Sequence, residues 1–201
     1  MTFNSLPTDK LRSHFRAARR ALSDSEQAEA AHALAAHFLS SAAYYHADKL
    51  AFFLASDGEL SVDLILEAAL AAGKQCFLPV ADADDYSLRF LSYHGDASEL
   101  TTNRWGILEP TDSTELPSAE LDLVFVPLVA CDQHGTRLGM GKGFYDRAFA
   151  FTLEAASSPA THPLLVGVAH DCQVSDTALP RQAWDVPLSA IATPSRLIAS
   201  F

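Results

Sequence analysis

Hydrophobic positions along this chain repeat with two different periods. Short apolar runs of strand length recur at Lys49 to Ala55, Gln75 to Val80, Leu88 to Tyr93, Leu121 to Val126, Leu164 to Ala169 and Leu188 to Ala192. Other segments follow the 3.6-residue spacing of a helix with one apolar face. Asp9 to Leu22 predicts a helix capped by Thr8. Ser23 followed by Glu26 is a capping box that opens a second helix, running to about Leu39 through Leu34 and Phe38. The turn Ser56, Asp57, Gly58, Glu59 leads into a helix from about Val62 to Ala72, stopped by Gly73. A shorter helical pattern covers Phe144 to Leu153, and His94 to Ser118 is predicted irregular. Strands alternating with helices predict an α/β fold, a mostly parallel sheet with helices on both faces. The expectation is a single three-layer α/β/α domain over residues 1–201, with no repeat, low-complexity tract or linker. Ligands of such folds gather at loops leaving the carboxyl ends of the strands, and the loops after Ala55 and Val126 fit that position.

Composition narrows the classes of function. A formal net charge of −11 argues against nucleic acid or an anionic membrane as a partner. No apolar run is long enough to span a bilayer. Met1 to Arg20 starts polar and turns basic without an apolar core, unlike a secretory signal, so a cytoplasmic protein is expected. The three cysteines form no paired pattern and read as reduced thiols. Cys131, His134, His170 and Cys172 match no common zinc-ligand spacing. Nothing in the chain calls for a protein partner, and a monomer is expected.

Against this acidic background the basic residues are concentrated. Lys10, Arg12, Arg16, Arg19 and Arg20 all lie on the first predicted helix, with Arg12, Arg16 and Arg20 at i, i+4, i+8. Such a stripe fits a solvated face and a clamp on an anionic ligand equally well. Glycine is concentrated too: four of the nine glycines fall between Gly135 and Gly143, interleaved with Arg137, Leu138, Met140 and Lys142 and followed by Phe144, Tyr145, Asp146 and Arg147. Closely spaced glycines let backbone N–H groups approach an anion, the cations supply charge, and Asp146 offers a hard oxygen for magnesium. The run is neither a Walker loop, because Gly143 follows Lys142, nor a dinucleotide fingerprint, because Phe144 stands where a third glycine is required. It reads as a phosphate site.

Four collinear pieces resemble the 5-formyltetrahydrofolate cyclo-ligase (5,10-methenyltetrahydrofolate synthetase) family. They are Lys10 to Arg12, Phe53 to Glu59, the long signature from Pro127 to Arg147, and Trp184 to Pro187 with Thr193 and Pro194. The resemblance implies a sugar-phosphate isomerase/CoA-transferase-like architecture. It also implies ATP- and Mg2+-dependent cyclisation of 5-formyltetrahydrofolate to 5,10-methenyltetrahydrofolate, with release of ADP and phosphate. It places ATP on Lys10, Arg12 and the loop Arg137, Leu138, Gly139, Met140, Gly141, Lys142, Gly143, Phe144 and Tyr145. Lys142, Arg137 and Tyr145 would assist the chemistry, and Asp146 and Asp185 would hold the metal. The folate is expected on Leu54, Glu59, Trp105 and Met140 to Phe144.

Read as bare residues, several of these positions have a second reading. Asp146 suits a helix start, Asp185 a turn, Glu59 the first turn of the next helix, and Trp105 and Tyr145 a packed core. Met140 stands where some family members carry a basic or aromatic side chain, and His170 is expected to be structural. The alternative to an enzyme is a non-catalytic nucleotide- or folate-binding protein of the same fold.

Overall fold

The computed structural model describes residues 7–82, 84–104, 106–111, 113–154 and 163–199. Helices α1 (Thr8–Arg20), α2 (Asp24–Phe38) and α3 (Ala42–His46) precede strand β1 (Lys49–Ala51). Then follow α4 (Asp63–Ala71), β2 (Gln75–Ala81), β3 (Leu88–Tyr93), β4 (Leu100–Thr102), β5 (Leu108–Pro110) and β6 (Glu115–Leu116). The second half holds β7 (Leu123–Pro127), β8 (Ala130–Asp132), β9 (Arg137–Leu138), α5 (Phe144–Ala148), α6 (Phe151–Glu154), β10 (Leu164–Val168), β11 (Val174–Ser175), β12 (Ala190–Ala192) and β13 (Leu197–Ala199).

Eight strands form the main sheet in the order β13-β12-β10-β7-β1-β2-β3-β6. The five inner strands from β12 to β2 run parallel, whereas β13, β3 and β6 join antiparallel at the two sides. The mixed α/β fold with a mostly parallel sheet is therefore the one the alternation predicts. Strand β7 lies at its centre, and its residues alternate between two cores. Leu123 and Phe125 face α2, α3 and α4, and Phe125 packs between the rings of Phe38 and Phe52, 5.0 Å from each. Val124 and Val126 face the opposite side, against Phe149, Val186 and Leu188. Burial on both faces explains why this strand is an unbroken apolar run.

Local chemistry corrects several expected boundaries. The Ser23 capping box forms as predicted, with Ser23 and Glu26 bonding each other's backbone N–H. Thr8 is not a cap: it is the first helical residue, preceded by Pro7, and no side chain caps α1. The apolar run after Lys49 is in the sheet only to Ala51, because Phe53 to Ser56 turn toward the cavity described below. The Phe144 to Leu153 pattern forms two short helices rather than one, broken at Phe149 and Ala150. The stretch expected to be irregular contains the β4–β5 hairpin and β6, whose two- and three-residue strands carry too little alternation to be read.

The glycine run does not leave the central strand directly. A small sheet, β11-β8-β9, intervenes. Its β8–β9 turn is organised by Asp132, 1% exposed, whose Oδ1 accepts the N–H groups of His134 and Thr136 and whose Oδ2 accepts that of Leu179 at 2.8 Å. Leu11 and Phe15 of α1 pack on this sheet with Val129, Ala130 and Leu138, which brings the basic helix beside the glycine run.

Gly167 lies mid-strand in β10, where a Cβ would meet Leu188 Cδ1 at 2.4 Å and Leu128 Cδ2 at 2.9 Å. Both leucines are buried and have little room to move. Gly167→Ala is expected to lower unfolding free energy by about 1–3 kcal/mol through overpacking, with an unchanged urea m-value. A urea midpoint equal to the parent's would show that the layer yields freely.

Candidate active site

A cavity of about 1590 Å3 opens at the carboxyl ends of β1, β2 and β7. Pockets for a single drug-sized ligand measure roughly 300–1,000 Å3, so this space suits two substrates side by side. Its walls come from α1, the loop after β1, the β2–β3 loop, the β4–β5 hairpin, the glycine run with α5, and the Trp184–Asp185 segment. Arg12, Leu54, Glu59, Asp146, Asp185 and every residue from Arg137 to Tyr145 line it, so sequence-distant candidates converge on one space. Lys10 does not: it is exposed on α1 and off the cavity wall. Trp105 lies outside the described residues.

The glycine run supplies a row of unpaired donors. The backbone N–H groups of Gly139, Met140, Gly141, Lys142 and Gly143 donate to no group among the described residues. Gly141 and Gly143 adopt φ of +90° and +69°, and side chains approach closely where a Cβ would stand: Arg12 Nη2 at 3.3 Å from Gly141 and Arg147 Nη1 at 3.2 Å from Gly143. Only glycine suits both the angle and the contact. Arg12 is tied to the run through Nε to the Gly139 carbonyl at 2.9 Å, and Arg147 through Nη1 to the Lys142 carbonyl at 2.6 Å. The Lys142 ammonium lies 5.5 Å from the centre of the Tyr86 ring, on the β2–β3 loop. Because α5 has only five residues, the loop amides and these cations, more than a helix dipole, make the site attractive to an anion.

Arg137 fastens the opposite end. Its side chain is 6% exposed; Nη2 donates to Asp146 Oδ1 at 2.5 Å and Nη1 to the Val186 carbonyl. Burial disfavours the charged guanidinium, and the carboxylates of Asp146 and Asp185 oppose that effect. Asp146 Oδ1 also accepts the Val186 N–H at 3.1 Å, and Asp185 Oδ2 accepts the Gln182 N–H at 2.7 Å. Asp185 thus has its turn role, and Asp146 serves as a latch as well as a helix-start carboxylate. Each keeps one oxygen, Asp146 Oδ2 and Asp185 Oδ1, without a protein partner among the described residues. No group of three or more His, Cys, Asp or Glu side chains that would hold a metal unaided occurs among the described residues. Two free carboxylate oxygens beside a phosphate-type loop nevertheless suit magnesium, which is completed by phosphates and water.

On the β1 side, Glu59 Oε2 accepts the N–H and hydroxyl of Ser56 at 3.1 and 3.4 Å, and Oε1 lies 3.5 Å from Arg19 Nη2. Burial raises its carboxyl above the usual range against the pull of Arg19. Tyr145 stacks on Phe149 and lines the cavity; burial and nearby Glu59 keep its phenol protonated. His170, 2% exposed, is off the cavity wall, and burial holds it neutral.

Sequence reasoning missed the partners of the basic helix. Arg16 and Arg20 bind Asp57 through side-chain ion pairs, so the stripe as a whole is neither a solvated face nor an open clamp, and only Arg12 reaches the glycine run. Arg19, off that stripe, is the buried member. An arginine on the apolar side of an amphipathic helix was the available signal. Tyr86, at φ +59°, and Arg147 meet only through tertiary contact, their groups 5.4 Å apart.

Comparisons with known proteins show the family to which the chain belongs. A 5-formyltetrahydrofolate cyclo-ligase from Escherichia coli (strain K12) is 42% identical over 182 residues, 89% of this chain and 96% of that protein. One from Haemophilus influenzae is 35% identical over 188 residues, 92% and 96% of the two chains. The solved structure of Aquifex aeolicus 5,10-methenyltetrahydrofolate synthetase superposes with a TM-score of 0.80 at 27% identity, covering 96% of this chain and 93% of that one. Because the model of the 5-formyltetrahydrofolate cyclo-ligase family also matches residues 5–194, nearly the whole chain, this protein belongs to that family.

Proposed function

We propose that this protein, as a single domain, cyclises 5-formyltetrahydrofolate to 5,10-methenyltetrahydrofolate at the expense of ATP. The observation that carries the reading is the row of unpaired amides from Gly139 to Gly143, on residues that line a cavity large enough for a nucleotide and a folate together. Family membership supports the substrate pair.

The chemistry explains why such a cavity is needed. A formamide oxygen is a poor leaving group, so the neighbouring anilino nitrogen cannot displace it directly. Transfer of the terminal phosphoryl of ATP to that oxygen releases ADP and leaves an iminium phosphate. The nitrogen then attacks the activated carbon, phosphate departs with the carbon–oxygen bond electrons, and the nitrogen loses its proton. The protein's part is alignment and charge neutralisation. The amides of 139–143 cradle the phosphates, while Arg12, Arg137 and Lys142 offset their charge. Arg137 is held rigid by Asp146 and Val186, so little reorganisation accompanies the transfer. Asp146 Oδ2 and Asp185 Oδ1 would hold magnesium, which when bound screens the phosphate oxygens. The ionised Glu59 accepts hydrogen bonds from the amino and N–H edge of the pterin, beside Leu54 and the Met140–Phe144 segment. Tyr145, protonated, donates to the formyl or phosphoryl oxygen. Lys10 would approach the nucleotide only from outside the cavity rim.

The direct test follows the near-ultraviolet absorption of the methenyl amidinium with and without ATP. Folded protein with magnesium should generate it only when ATP is present; no signal from folded protein ends the proposal. Lys142→Ala, at an exposed loop position, should reduce kcat about 100-fold or more while Tm moves little. An equal fall in Tm and rate would make Lys142 a structural residue. Asp146→Asn should raise the magnesium concentration for half-maximal rate at least about tenfold and lower Tm, because it weakens the Arg137 latch as well as the metal site. An unchanged magnesium requirement would remove Asp146 from the metal role.

A further inference from the structure

Glu59 is ordinarily a poor site for a charge. It is largely enclosed, and the nearby Asp57 is also negative. A carboxylate that must accept hydrogen bonds from a neutral heterocycle needs to be ionised and held at a fixed angle before the ligand arrives. The residue that meets both needs is Arg19, whose side chain is 1% exposed and which no motif singles out.

Arg19 binds in three directions. Its Nη1 donates to the Leu128 carbonyl at 3.0 Å, just beyond β7, and its Nε to the Asp57 carbonyl at 2.9 Å. Its Nη2 donates to Asp57 Oδ2 at 2.9 Å and faces Glu59 Oε1 at 3.5 Å. The first two bonds fix the guanidinium plane against the sheet; the third group is shared between two carboxylates. Alone, Asp57 would compete for it. That competition is relieved by two further cations: Arg16 binds Asp57 Oδ2 through Nε and Nη2 at 3.0 and 2.9 Å, and Arg20 binds Oδ1. Burial alone would raise the Asp57 carboxyl, yet hydrogen bonds from Arg20, Arg16 and Arg19 hold it below the usual range. Three cations therefore face two anions, and the surplus falls toward Glu59.

The loop is shaped for this contact. Asp57 and Gly58 both have positive φ, +54° and +75°, and a Cβ on Gly58 would stand 3.2 Å from the Arg19 carbonyl. Ser56 closes on Glu59 Oε2 from the other side. The charged groups facing Glu59 are thus Arg19 from α1 and Asp57 from its own loop, with the neutral Tyr145 phenol from α5 opposite.

Resting on the proposed folate contact of Glu59, we propose that Arg19 is a positioning residue for substrate recognition: it holds the Glu59 carboxylate charged and turned to the cavity, while Arg16 and Arg20 neutralise Asp57 on its behalf. Arg19 lies in the cavity wall, but it is 1% exposed with its donors turned to protein acceptors, so it acts on the substrate through Glu59. Recognition of the pterin edge is therefore set by the α1 wall of the cavity as much as by the loop that carries Glu59. The pH dependence has a definite sign. Binding requires ionised Glu59, so it is complete above the raised midpoint and lost as pH falls through it.

The test reads Glu59 directly, by 13C NMR titration of its side-chain carboxyl, and in parallel the dissociation constants of 5-formyltetrahydrofolate and of ATP. Arg19→Gln should move the Glu59 midpoint up by about one pH unit or more and weaken folate binding about tenfold near that midpoint, with ATP affinity unchanged. Arg19→Lys should recover most of both effects. In a Glu59→Gln background, Arg19→Gln should have no further effect on folate binding. Asp57→Asn, which retains a residue type tolerant of positive φ, should shift the Glu59 midpoint down because Arg19 is released to it. A folded Arg19→Gln with an unmoved midpoint overturns the proposal; if that variant does not fold, an Asp57→Asn midpoint that rises or stays put does so. The titration needs no turnover, so absence of cyclisation in the parent would refute the cyclo-ligase reading alone.

Discussion

A guanidinium withdrawn from water must find partners, and at two places in this protein that requirement draws separate parts of the chain together. Arg19 and Arg137 have side chains only 1% and 6% exposed. Arg19 joins α1 to the loop after β1 and to the end of β7, and Arg137 joins β9 to α5 and to the segment before β12. Buried ion pairs of this kind add little net stability, because desolvation offsets most of the attraction, but removing one partner is costly. Their contribution is geometric. They fix where the loops at the carboxyl edge of the sheet can lie, and so they define two walls of the cavity.

Between these walls the chemistry is divided between satisfied and unsatisfied groups. Arg16, Arg19, Arg20 and Arg137 are committed to protein acceptors. The amides of Gly139 to Gly143, one oxygen each of Asp146 and Asp185, and much of Lys142 are not. A polar backbone row that stays unpaired within a folded protein is expected to meet water or a ligand. The arrangement is suited to a triphosphate because its fixed positive charge is held by rigid partners while its donors remain open. The same division separates positioning from contact on the β1 side, where Arg19 is paired with protein acceptors and Glu59 lines the cavity.

Much of this was legible in the chain. The central strands were readable because burial on both faces demands unbroken apolar runs, and the Ser23–Glu26 cap because it is a local bond. The glycine run was readable because closely spaced glycines mark backbone that other residues rarely adopt, as at Gly141, where φ is +90° and Arg12 would stand 3.3 Å from an added Cβ. Short strands such as β4, β6, β8 and β11 escaped because two or three residues show no period, and they exist only through pairing with distant segments. Asp132 was visible as part of a signature but not as the residue that folds the β8–β9 turn, since one of its bonds reaches Leu179.

The sequence by itself determined the α/β class, the position of the phosphate-type loop and the identity of its glycines and cations, because these follow from periodicity and from bonds within a few residues. Only the tertiary structure decided which arginine is buried, that Arg16 and Arg20 attend Asp57 while Arg12 attends the glycine run, and that Lys10 stays outside the cavity. Five cations on one helix are equivalent in sequence. They become distinct when the helix docks, because packing of Leu11 and Phe15 on the β8–β9 sheet sets which side chain loses its water and must be paired from within.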